Sequence, residues 1–114
     1  MKLQSLDTAE PFTTKDGSTI RELHHTAEQS LAEAALEPDQ ATQRHYHDRT
    51  EEIYFVTKGS GKLEVDGEIR AVRPGDAILI PPGAWHMLEN DGTSELLILC
   101  VCAPPYSDKD TFFE

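Results

Sequence analysis

The sequence predicts an all-β sandwich or barrel. Three observations carry this expectation. From Arg44 onward, short apolar runs alternate with turn signals at regular spacing. Asp66-Gly67 sits between two alternating runs, the strongest short-range sign of a β-hairpin. The seven glycines and seven prolines are scattered as punctuation rather than clustered, as many short elements joined by tight turns require.

The elements follow in order. Residues 27–37, "AEQSLAEAALE", are good helix formers, and Leu31, Ala34 and Ala35 share one helical face. Read as a strand, the same segment puts Ala32, Ala34 and Leu36 on one face and Leu31, Glu33 and Ala35 on the other. Pro38 ends the element either way. "EEIYFVTKG" is rich in β-branched and aromatic residues and closes at Gly59. "KLEVDGEIRAV" is the hairpin around Asp66-Gly67. The turn Arg73–Asp76, the strand Ala77–Ile80 and the turn Pro81–Gly83 come next. "AWHMLE" and "SELLILCVCA" complete the set as strands separated by the turn Asn90-Asp91-Gly92.

A chain of 114 residues is the size of one domain, expected over residues 1–114, and can bury roughly two-thirds of its unfolded surface. The net charge of −11 repels phosphate backbones and anionic lipid, so neither nucleic acid nor membrane is expected as a partner. The first residues form no apolar signal segment, and no run approaches the ~20 residues that span a bilayer, so a cytoplasmic protein is expected. Cys100 and Cys102 flank Val101; a disulfide between them would be strained. They read as small buried thiols in a reducing compartment, since no second pair completes a zinc-site spacing.

Chemistry concentrates in "RHYHDRTEEIYFVTKG", residues 44–59. On a strand, His45 and His47 point the same way, and Glu52 lies on the next strand in phase with Tyr54 and Val56. His86 arrives from a distant strand after Pro81–Gly83. Three imidazoles and one carboxylate suit a divalent transition ion: Mn, Fe, Co, Ni, Cu or Zn. Four protein ligands on an octahedral ion leave two positions for water, substrate or O₂, as catalytic rather than structural metals do. If Glu52 faces inward, strict alternation turns Glu51 outward. Gln43, in phase with His45 and His47, and Tyr54, in phase with Glu52, are the candidate substrate contacts. His24 and His25 read as structural or surface residues. Trp85 and Met87 should face away from His86, and no arginine set forms a phosphate clamp.

Two spaced patterns contain these residues. The first is His45-x-His47, four residues, Glu52, six residues, Gly59; the second is Gly75, five residues, Pro81-x-Gly83, two residues, His86, three residues, Asn90. They resemble the two signature motifs of the cupin superfamily, the second in full. The first departs only at its opening glycine, where Asp39 stands, a residue type that tolerates turn conformations. Fifteen residues separate Gly59 from Gly75, the short spacing of small single-domain members.

The resemblance implies a small double-stranded β-helix, a jelly-roll barrel of two antiparallel sheets, with one divalent metal inside one end. Residues 27–37 then become the strand before His45, against their propensity. It also implies a homodimer, with the arm Met1–Lys15 available to pair onto a partner's sheet. The tail, residues 104–114, carries Tyr106, Phe112 and Phe113, expected to pack across the barrel or the dimer interface rather than form a site. Two functions stay open: a metal-dependent enzyme of dioxygenase or isomerase/epimerase type acting on a small oxygen-chelating organic molecule, and a non-catalytic protein that binds or senses a small ligand.

Overall fold

The computed structural model describes residues 1–114 and contains eleven strands. They are β1 (Phe12–Thr13), β2 (Thr19–His25), β3 (Ser30–Leu36), β4 (His45–His47), β5 (Glu51–Lys58) and β6 (Gly61–Val65). Then follow β7 (Glu68–Val72), β8 (Ala77–Ile80), β9 (His86–Glu89), β10 (Leu96–Ala103) and β11 (Thr111–Phe113). The sole helix is the 3₁₀ turn Asp108–Asp110, and no helix is long and apolar enough to cross a membrane. The strands form two antiparallel sheets, in the orders β1-β2-β3-β10-β5-β8 and β11-β4-β9-β6-β7.

Residues 30–36 are a strand, as the family pattern implied and propensity did not. The reason is tertiary: β3 is hydrogen-bonded on both sides, to β2 and to β10, and buries Ala34 and Leu36. The anticipated hairpin is present. Val65 pairs with Glu68 around Asp66 and Gly67, whose φ angles of 48° and 86° are the positive pair a type I′ turn needs.

Two turns show why the spaced patterns contain what they do. Gly59 has φ +83°, and a Cβ there would stand 2.5 Å from the Glu95 carbonyl oxygen. A side chain would therefore drive the turn that joins β5 to β6 away from the Glu95–Leu96 backbone at the start of β10. Asp39, where the family pattern has glycine, takes φ +68°. Aspartate is among the few residues that enter this region at modest cost, so the backbone geometry survives the substitution.

Cross-strand register grades the interior from apolar to polar. One row carries Ala34, Ile98 and Val56; the next carries Ala32, Cys100, Tyr54 and Ile78; the third carries Ser30, Cys102, Glu52 and Ile80. Leu36, Val56, Leu63, Leu88, Leu96 and Ile98 anchor the apolar end and are all but fully buried. Burial of that kind supplies about 1.5–3 kcal/mol per large aliphatic side chain. Asn90 closes this end. Fully buried, its amide donates to the Leu36 and Ser94 carbonyls at 2.9 Å each, and its side-chain oxygen accepts from Gly92 N–H at 2.9 Å. The polar row leaves the other end to the histidines.

Candidate metal centre

β4 and β9 pair at His45 and His86, while His47 lies two residues along β4 on the same face. One ring nitrogen from each of the three lies within 4.8 Å of the others. All three side chains are buried. Glu52 enters from β5, buried, while Glu51 is exposed. Its Oε1 stands 3.4 Å from His47 Nε2 and 3.3 Å from His86 Nε2. Alternation along β5 separates the two glutamates.

The outer nitrogens fix the direction of the inner ones. His45 Nδ1–H donates to the Gln43 carbonyl at 2.6 Å and His86 Nδ1–H to the Ala84 carbonyl at 3.0 Å. His47 Nδ1 faces the Asp110 carbonyl at 3.3 Å and the Thr111 hydroxyl at 3.2 Å. A carbonyl only accepts, so each Nδ1 that faces one carries its proton, and the neutral ring then presents a bare Nε2 lone pair inward. Those lone pairs meet a carboxylate. Glu52 Oε1 and His86 Nε2 are both buried without a hydrogen-bond partner. Such orphaned acceptors are costly unless a cation sits between them, and three imidazoles with one carboxylate are a fitting donor set for a divalent transition ion.

Burial works to raise the Glu52 pKa, but the contacts with His47 and His86 outweigh it and hold the carboxyl well below its ordinary range. Burial and the neighbouring His86 lower the His45 pKa. Burial also opposes charge on His47, yet Glu52 and then Asp110 prevail and raise its pKa.

His45, His47 and Glu52 open onto a cavity of about 60 Å³. That is well under the ~150 Å³ that admits benzene in an engineered core, so the space suits a ligand of few heavy atoms. Its apolar wall includes Ala32, Ala34, Leu36 and Ile98, and these two alanines leave the room. Tyr54 is buried in this wall, and burial followed by the charge of Glu52 pushes its phenol well up, so it stays protonated and can donate.

Several sequence expectations need correction. Gln43 is exposed and does not line the cavity, because β4 begins only at His45 and strict alternation does not reach back to residue 43. Thr42 is the buried lining residue instead, and Gln43 serves the site through its backbone carbonyl on His45. The tail is part of the site. Tyr106 lines the cavity, with its ring centroid 5.9 Å from that of His47, and β11 pairs with β4 so that Phe113 meets His45 and Thr111 meets His47. Asp110 also accepts from the Arg49 and Thr50 amides, at 3.1 Å on Oδ2, which ties the tail to the β4–β5 turn.

The cysteines are free and line the cavity, and Cys102 donates to Glu52 Oε2 at 3.3 Å. Their shared strand phase was the available signal for this. Asp16 was missed altogether. It lines the cavity from the turn before β2, and no periodicity marks such a position. Trp85 packs against Tyr46 and under Arg44, whose guanidinium also meets Glu64 and Glu114 on the outer side.

A two-sheet antiparallel barrel with a buried histidine triad at one end defines a class of protein, and the comparisons with known proteins agree. Residues 32–102 match the family model described as Cupin domain, and the chain belongs to that family. It is 46% identical over 110 residues to an uncharacterized protein of Methanocaldococcus jannaschii, covering 92% of this chain and 88% of that one. It is 32% identical over 81 residues to an L-ectoine synthase of Hahella chejuensis, covering 69% of this chain and 59% of that protein's length. In structure it resembles KdgF from Halomonas sp., with a TM-score of 0.85 at 20% identity, covering 96% and 97% of the two chains.

Proposed function

We propose that this protein binds one divalent transition metal through His45, His47, His86 and Glu52 and acts as an enzyme on a small organic molecule that chelates the ion through two oxygens. The observation that carries the proposal is the convergence of three Nδ1-anchored imidazoles, two of which, His47 and His86, face a buried carboxylate oxygen that has no hydrogen-bond partner. An ion held there would act as a Lewis acid, polarising a carbonyl or enolate oxygen. The rest is the chain's own work. The Gln43 and Ala84 carbonyls orient the rings of His45 and His86, and Tyr54 offers a proton or a hydrogen bond into the cavity. Reactions of dioxygenase or isomerase/epimerase type fit this equipment, and the L-ectoine synthase relative supports the enzymatic reading.

A binding protein without turnover is the second reading, favoured by one observation: no imidazole outside the triad and no amine lines the cavity. Metal analysis of protein purified without an affinity tag tests the site; close to one ion per chain is expected, and a preparation that neither carries nor accepts Mn, Fe, Ni or Zn sinks it. Screening the loaded protein for turnover of diketones, hydroxy acids and keto acids, with and without O₂, separates enzyme from binder.

The proposal extends to assembly and place. A homodimer is supported by an apolar outer face on the six-stranded sheet, where Ile53 and Phe55 are each 39% exposed and Leu79 is 56% exposed. Ile53 and Leu79 are register partners, so the face is continuous across β5 and β8. A single domain over residues 1–114 and a cytoplasmic setting, where free thiols persist, complete it.

A further inference from the structure

We infer that the cavity is built for a ligand carrying a protonated amine beside its chelating oxygens, with Asp16 as the acceptor of that amine; this rests on the metal site proposed above. Asp16 Oδ1 is fully engaged by its own turn, accepting from the Thr14 hydroxyl at 2.6 Å, the Ser18 hydroxyl at 2.7 Å and the Ser18 N–H at 2.9 Å. Those bonds hold the carboxylate in place and leave Oδ2 without a protein partner. The turn is also fastened to the histidine strand: the Asp16 carbonyl accepts from Gln43 N–H at 2.8 Å, and the Gln43 carbonyl in turn holds His45.

A second group in the same cavity is unclaimed. Tyr54 lines the cavity, and although the residue is only 5% exposed its phenol oxygen opens to the cavity space and is engaged by no protein group. The phenol can therefore donate to something that enters. The cavity therefore presents one spare donor and one spare, rigidly held anionic acceptor.

Charge decides what enters. Asp16 lines the cavity, Glu22 stands exposed at its edge, and no lysine or arginine is among the lining residues. With a divalent ion beside Glu52, the metal end is net positive and the Asp16 side negative. A ligand with anionic oxygens and an ammonium group matches both ends. A dianion would set its second carboxylate against Asp16, and a sugar phosphate would find no cation beyond the metal.

Three probes of nearly equal size test this on protein loaded with one equivalent of cobalt(II). They are 3-amino-2-hydroxypropanoate, 2-hydroxypropanoate and hydroxymalonate, which share a hydroxy-acid chelate and differ in bearing an ammonium, a methyl or a carboxylate. Calorimetry, with the cobalt absorption spectrum as a second readout, should show the amine binding at least about tenfold more tightly than either other probe. Asp16→Asn keeps an acceptor for the turn and should erase that preference, bringing the amine to the level of 2-hydroxypropanoate with cobalt retained. Tyr54→Phe should weaken all three alike. Equal binding of the probes, binding of none, preference for hydroxymalonate, or a preference that survives Asp16→Asn overturns the inference. Cobalt content of the same samples separates this from loss of the metal site, which would overturn both readings.

Discussion

The Cys102 thiol donates to Oε2 of Glu52 across 3.3 Å, and the two residues are direct register partners on β10 and β5. One carboxylate oxygen is thereby occupied, and Oε1 is left facing His47 and His86. Removing the donor should loosen the carboxylate without unfolding the barrel. Cys102→Ala is expected to weaken metal binding by up to about tenfold, and Cys102→Ser, which keeps a donor, to restore most of it. Metal competition with a chromophoric chelator reads both.

The glutamate pair provides a sharper contrast. Glu52→Gln and His47→Ala should each lower metal affinity by more than about 100-fold, because each removes a group aimed at the ion. Glu51→Gln changes an exposed side chain and should leave affinity within about twofold. Equal losses at positions 51 and 52, by the same chelator assay, would contradict the strand phase.

The pH behaviour follows from the opposite shifts on two of the rings. His47 has a raised pKa, so its contribution to metal-free stability is full below the ordinary 6.5 and is lost as pH rises through the folded value. His45 has a lowered pKa, so folding is opposed as pH falls below that ordinary value. The two act on opposite sides of 6.5, and Glu52, depressed, stays ionised throughout. Melting of the metal-free protein should therefore be highest at about pH 6.5 and fall on either side. The increment added by metal should grow between about pH 6 and pH 8, because Nε2 must be bare to bind. Proton NMR of the metal-free protein should find His47 titrating above His45.

At the apolar end the expected effect is on stability alone. Asn90→Ala removes two donors and one acceptor from a fully buried position and strands the Leu36 carbonyl. A loss of about 2–4 kcal/mol is expected in urea unfolding. Metal stoichiometry should be unchanged in the protein that remains folded.

The outer face of β5 and β8 tests assembly. Phe55→Glu places a charge in the centre of the exposed apolar strip and should convert a dimer to a monomer in light scattering, with the melting temperature and metal content of the monomer close to those of the parent.

Much of the fold and of the candidate site was legible in the sequence, partly from local periodicity and, for His86 and the strand at residues 27–37, from the resemblance of the two spaced patterns to the cupin motifs. Two-residue alternation placed His45 with His47 and separated Glu52 from Glu51, and turn chemistry located the hairpin at Asp66. What was not legible depends on where irregular chain goes. Gln43 lies one step beyond the end of a strand, where alternation no longer holds. Asp16 reaches the cavity from a turn, and Tyr106 from a tail that doubles back along β4. The helix-forming composition of residues 27–37 is explained only by partners on both sides. Small alanines there serve to leave space, a purpose propensity does not record.

The pairing of β11 with β4 has a consequence for the nascent chain. His45, His47, Glu52 and His86 are all synthesised before Asp110 and Thr111, the residues that align the His47 ring. During translation the four side chains therefore emerge before the strand that sets the angle of one of them. A chain halted between Glu89 and Asp110 would carry all four without the contacts that align the His47 ring.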